Sequence, residues 1–81
     1  MAKPSPSYSN DPALKALGLA LRDARKGQNL SQEELALIAG LDRSYLGGVE
    51  RGEHNVALIN LIKLSTALGI KLNDLLKRAD L

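Results

Sequence analysis

The chain has no cysteine, no phenylalanine and no tryptophan. Without cysteine there are no disulfides and no thiolate metal sites, which fits a reducing, cytoplasmic setting. With two tyrosines as the only aromatic residues, the core has to be built from Leu, Ile, Val and Ala. The single histidine, His54, cannot make a metal site alone, and no nucleophile pattern or phosphate-binding glycine loop surrounds it. The expectation is a protein that is not an enzyme, with no metal, no cofactor and no small-molecule ligand. No apolar run approaches the roughly 20 residues of a membrane span, and the N-terminus lacks the apolar segment of a signal peptide. What is present is 81 residues, enough for one small domain, with a formal net charge of +2. That mildly basic balance is compatible with nucleic acid without requiring it.

Residues 1–10, MAKPSPSYSN, are rich in Pro and Ser, lack helical periodicity and read as a disordered arm. A groove-tracking arm would need more cations than Lys3. A domain over residues 11–81 then begins at Asp11-Pro12, an N-cap followed by proline at the first helical position. Leu14, Leu17, Leu21 and Ala24 follow at helical spacing, Gly18 sits inside, and Gly27 closes the helix. Arg25 lies near the inward stripe, where a cation needs a partner.

Residues 31–52, SQEELALIAGLDRSYLGGVERG, organise the rest. Ser31 with Glu34 forms a capping box. Leu35 and Ala39 share one face, and Gly40 supplies a left-handed stop. Asp42 caps a second helix whose inward stripe is Leu46, Val49 and Glu50, and Gly52 ends it. Two short capped helices joined by a tight turn describe a helix-turn-helix. Positions 43, 44, 47, 48 and 51 face outward and hold Arg43, Ser44, Gly47, Gly48 and Arg51. Spacing alone leaves two readings open: a helix docked in the major groove of DNA, or a solvated helix of an all-α domain. Glu50 is an acid near the core at a helix C-terminus, where it opposes the dipole. Two misfits of opposite sign predict a partly buried Arg25–Glu50 ion pair.

The stretch is similar to the lambda-repressor-like, Xre-type family of bacterial and phage DNA-binding domains. Ser31-Gln32-Glu33-Glu34-Leu35-Ala36, Ala39-Gly40 and Glu50-Arg51-Gly52 carry the likeness, which extends over residues 13–79. Leu41-Asp42-Arg43-Ser44-Tyr45-Leu46 with Gly48 resembles the controller proteins of restriction-modification systems. The resemblance implies an all-α, five-helix bundle and the same Arg25–Glu50 pairing. It also implies a homodimeric transcription regulator on a (pseudo)palindromic operator in double-stranded DNA.

On that reading Arg43 bonds guanine, and Ser44 meets a base edge or phosphate. Tyr45 touches the backbone or base methyls, or simply packs. Gln32 bonds phosphate through its side chain and N–H. Arg51 and Asn55 hold the DNA backbone. Gly48 belongs to the DNA-facing set, and with Gly47 it lowers the isolated helix's stability by about 2 kcal/mol. The pair also leaves part of the specificity to DNA shape. In the loop over residues 53–57, relatives often carry Asn-Pro-Ser where this chain has Asn55-Val56-Ala57, so the next helix lacks a good N-cap. His54 is expected to be exposed near phosphate. Leu58, Leu61, Ile62, Ser65 and Leu68 are the expected core face of helix four, with Ile59 off that face. Ile70, Leu72, Leu75, Leu76 and Ala79 carry the last helix, which Lys71 caps poorly. Ile59, Leu72 and Leu76 are the expected dimer interface. The alternatives are an antitoxin or protein-interaction module on the same fold and, with little aromatic surface to support it, an RNA-binding domain.

Overall fold

The computed structural model describes residues 8–81. The disordered arm expected over residues 1–10 lies outside the described residues up to position 7. Residues 8–10 are a turn rather than a free arm. The Asp11 N–H donates to the Tyr8 carbonyl at 2.9 Å, and the Asn10 N–H donates to the Gly52 carbonyl at 2.8 Å.

Five helices follow: α1 (Pro12–Gly27), α2 (Gln32–Ala39), α3 (Arg43–Glu50), α4 (Leu58–Ala67) and α5 (Leu72–Arg78). Among the described residues there is no strand, and no helix is long and apolar enough to cross a membrane. Local chemistry sets most boundaries. The Asp11 carboxylate accepts from the Ala13 N–H at 2.9 Å at the head of α1. At α2 the Glu34 N–H donates to Ser31 Oγ at 3.0 Å, and the Ser31 N–H donates to Glu34 Oε1 at 2.9 Å. Gly40 turns the chain at φ +71°, and the Leu41 N–H closes the end of α2 on the Ala36 carbonyl at 2.8 Å. Asp42 Oδ2 accepts from the Tyr45 N–H at 3.1 Å and starts α3. Helices α4 and α5 have no side-chain cap, as Ala57 and Lys71 predict.

One leucine from each helix meets at the centre: Leu21, Leu35, Leu46, Leu64 and Leu75 are each 0% exposed. Each such burial stabilises the fold by about 1.5–3 kcal/mol. Helix α1 packs on α3 and α5, α2 packs on α3 and α4, and α4 packs on α5. Gly18 is where α1 crosses the end of α3: a Cβ there would collide with the Glu50 and Val49 carbonyls. The close crossing offsets its helix-propensity cost of about 1 kcal/mol.

The core face of α4 differs from expectation. Leu64, Ser65 and Leu68 are buried and Leu61 is half-buried, whereas Leu58 and Ile62 are 64% and 42% exposed. Apolar residues at 58, 59, 61, 62 and 64 surround the helix, so periodicity alone did not fix its rotation.

Candidate nucleic-acid interface

The second half of α3 is held from beneath by a buried polar network. Arg25 Nε donates to Glu50 Oε2 at 2.8 Å and Arg25 Nη2 to Glu50 Oε1 at 3.0 Å, with the two residues 7% and 6% exposed. Arg25 Nη1 donates to the Leu30 carbonyl at 2.8 Å, so the pair ties α1 to α3 and to the loop before α2. Gln32 joins it: Nε2 donates to Glu50 Oε1 at 2.9 Å. In the free protein the Gln32 side chain, expected to bond phosphate, thus gives one of its two amide hydrogens to Glu50, because the first turn of α2 sits against the last turn of α3. The N-terminal backbone N–H groups of α2 are a further offer to an anion.

Above this network, Gln32, Arg43, Ser44, Gly47 and Arg51 line a shallow concavity of about 140 Å³. Arg43 is exposed and Ser44 half-buried at the start of α3. Arg51 reaches the same concavity by folding back along the helix, instead of standing apart beyond its end. A Cβ on Gly47 would lie 3.2 Å from Arg51 Nη1 and 3.5 Å from Gln32 Oε1. Arg51 also forks onto Glu53, Nε to Oε2 at 2.8 Å and Nη2 to Oε1 at 3.2 Å. Arg51 holds the Glu53 carboxyl below the usual carboxylate range through those hydrogen bonds. Asn55 is exposed in the loop that follows.

Two expectations are overturned here. Gly48 is buried and is not an outward position, since the His54 ring fills the space beside it. His54 is correspondingly buried, 6% exposed, and not an exposed loop residue near phosphate. Its ring centroid is 4.9 Å from that of Tyr45 at a 36° tilt. Tyr45 takes the packing role: it is half-buried, and its hydroxyl accepts from Asn60 Nδ2 at 3.1 Å. The fold of the loop back over α3 creates this cluster, and spacing within the helix carried no signal of it.

The expected dimer residues are not equivalent. Ile59 is 58% exposed, whereas Leu72 and Leu76 are half-buried against the core of the chain itself. The exposed apolar face is instead Leu58, Ile59 and Ile62 on α4. Leu37 and Ile38 of α2 are exposed too, and a groove of about 380 Å³ runs between Ile38 and Ile62. Sequence reasoning missed these α2 residues, although two adjacent apolar positions beyond Leu35 and Ala36 were the available signal.

The helix-turn-helix family profile matches residues 21–75, from the buried Leu21 to the buried Leu75. The chain is similar to the control protein C.SmaI of Serratia marcescens, 51% identical over 61 residues, which span 75% of this chain and 73% of that protein. Its structure is similar to the restriction-modification controller protein C.AhdI from Aeromonas hydrophila. That match has a TM-score of 0.76 and 55% identity, covering 76% of this chain and 94% of the other. It is also similar to the biofilm regulator SinR, solved in complex with DNA, with a TM-score of 0.71 and 34% identity over 74% of this chain and 97% of SinR. With its five-helix order, its capped α2–α3 turn and these relatives, the chain belongs to the Xre-type, lambda-repressor-like helix-turn-helix family, alongside restriction-modification controller proteins.

Proposed function

We propose that the protein is a transcription regulator that binds a (pseudo)palindromic operator in double-stranded DNA as a homodimer, in the role of a restriction-modification controller. The observation that carries this reading is the concavity on α3. Arg43 and Arg51 line it together with Ser44 and with Gln32, the first residue of α2. Cations and backbone donors on one face are what phosphates and guanine edges require. Arg43 reads guanine from the first turn of α3, Ser44 assists it, and Arg51 and Asn55 hold the sugar-phosphate backbone. The exposed Leu58, Ile59 and Ile62 face supports an isologous dimer. Such a dimer sets two α3 helices about 34 Å apart, one turn of DNA. The protein acts without catalysis, in the cytoplasm.

The apolar groove between α2 and α4 favours a second reading, a protein-interaction or antitoxin module. Selection of duplexes from a random library, followed by titration of the winner and a scrambled version, separates the two. The regulator reading expects at least about a thousandfold preference for the selected duplex. Equal binding to both duplexes would reject it.

A further inference from the structure

Glu53 is an acid at the edge of a surface otherwise furnished for an anion. The left-handed turn at Gly52, φ +80°, bends the chain back so that the Glu53 N–H donates to the Gly48 carbonyl at 2.9 Å. The carboxylate thereby lies beside α3 and not beyond it: Oε1 is 3.5 Å from the place of a Cβ on Gly48. From there it takes the Nε and Nη2 edge of Arg51, the same guanidinium that lines the concavity with Arg43. The Arg51 side chain is 58% exposed and that of Glu53 28%, so the pair faces solvent on the proposed DNA side.

We propose that Glu53 is an internal anion that competes with DNA phosphate for Arg51 and so lowers the protein's affinity for every duplex, whatever its sequence. The inference rests on the DNA-binding reading above. A phosphate approaching the intact pair meets a dipole in place of a full positive charge, and two of the five guanidinium donors are already engaged. Closing on Arg51 costs the pair. An exposed ion pair is a small restraint, so the device tunes affinity and does not block binding. Gly47 supplies room for it, since a Cβ there would already lie 3.2 Å from Arg51 Nη1.

The test uses the full chain and two probes: a duplex of about 30 base pairs, roughly three turns, selected by the wild-type protein, and a scrambled duplex of the same composition. Glu53→Gln should tighten both by the same two- to fivefold, the size of an exposed ion pair. It should steepen the salt dependence by up to about one counterion per protomer. In an Arg51→Ala background the same substitution should change neither value. Weaker binding by Glu53→Gln would overturn the proposal, because Glu53 would then be orienting Arg51 or accepting from a base. An unchanged affinity would also overturn it, as would an effect that survives in the Arg51→Ala background. If the wild-type chain selects no duplex at all, the DNA-binding reading itself fails, which is a distinct result.

Discussion

A Cβ placed on Gly48 would lie 2.5 Å from Nε2 and 2.7 Å from Cδ2 of His54. The imidazole occupies the place where any other side chain would begin, and it is wedged there by Tyr45. Gly48→Ala should therefore destabilise the fold by about 1–3 kcal/mol, the scale of an overpacked site, despite the helix propensity it gains. Gly47→Ala meets only side-chain ends, Arg51 Nη1 at 3.2 Å and Gln32 Oε1 at 3.5 Å, and should gain up to about 1 kcal/mol. Urea titration of both variants checks the contrast. Equal stabilisation by the two would show that the ring is free to leave.

The Arg25–Glu50 pair should behave as a buried one. Removing either partner strands the other and should cost about 3–5 kcal/mol, while replacing both with apolar residues should cost much less. A double-mutant cycle by thermal or chemical unfolding measures the coupling. A value of about 0–1 kcal/mol would assign the pair to the exposed class.

The two arginines of the concavity should separate by the kind of duplex they affect. Arg43→Ala should cost about 1–3 kcal/mol on a selected duplex and little on a scrambled one. Arg51→Ala should weaken both alike and reduce the salt slope by about one per protomer. Titrations at several salt concentrations distinguish the cases. An equal loss on both duplexes for Arg43→Ala would make it a phosphate contact.

Ile59→Lys places a charge on the exposed apolar face of α4 and should shift sedimentation toward monomer. Binding to a palindromic duplex should weaken with it, because the second half-site is no longer delivered by the first. An unchanged dimer would put the interface on another surface.

Hydrogen bonds from the Ser31 backbone N–H and hydroxyl hold the Glu34 carboxyl below the usual carboxylate range. A carboxyl depressed on folding adds stability above its unfolded pKa, and that stability is lost as pH falls through the folded value. Glu34→Gln should thus lower the melting temperature at neutral pH, with the difference from wild type vanishing in acid. A difference that persisted in acid would mean that the carboxylate charge is not what the cap uses.

How much could be read in advance followed the range of each interaction. The caps at Asp11, Ser31 and Asp42 and the stop at Gly40 depend on neighbours within a few residues, and the structure has them. Arg25 and Glu50 were legible across 25 positions because each broke a local rule with opposite charge. Gly48 cost helix propensity, but neither it nor His54 pointed to a partner. A glycine on a surface helix and a histidine in a loop are unremarkable until the left-handed turn at Gly52 folds one onto the other. Gln32 was legible as an anion contact by its place at a helix start, but its amide answers to Glu50, which only the packing of α2 on α3 brings near. On α4, Leu58 and Ile62 failed for a different reason. Hydrophobicity there marks two surfaces, one for the core and one outside, and a single stripe cannot encode both.

The bond from the Asn10 N–H to the Gly52 carbonyl fastens the approach to α1 onto the turn that ends α3. Residues 8–10 thus work as a strut, and shortening the chain to begin at Asp11 would act at a distance. The amide of Asn10 should exchange slowly with solvent although it precedes every helix. In a chain cut back to Asp11, the turn at residues 51–52 should open more often, loosening the anchorage of Arg51. An affinity tag fused ahead of Met1 keeps the strut in place, whereas one fused directly to Asp11 replaces it.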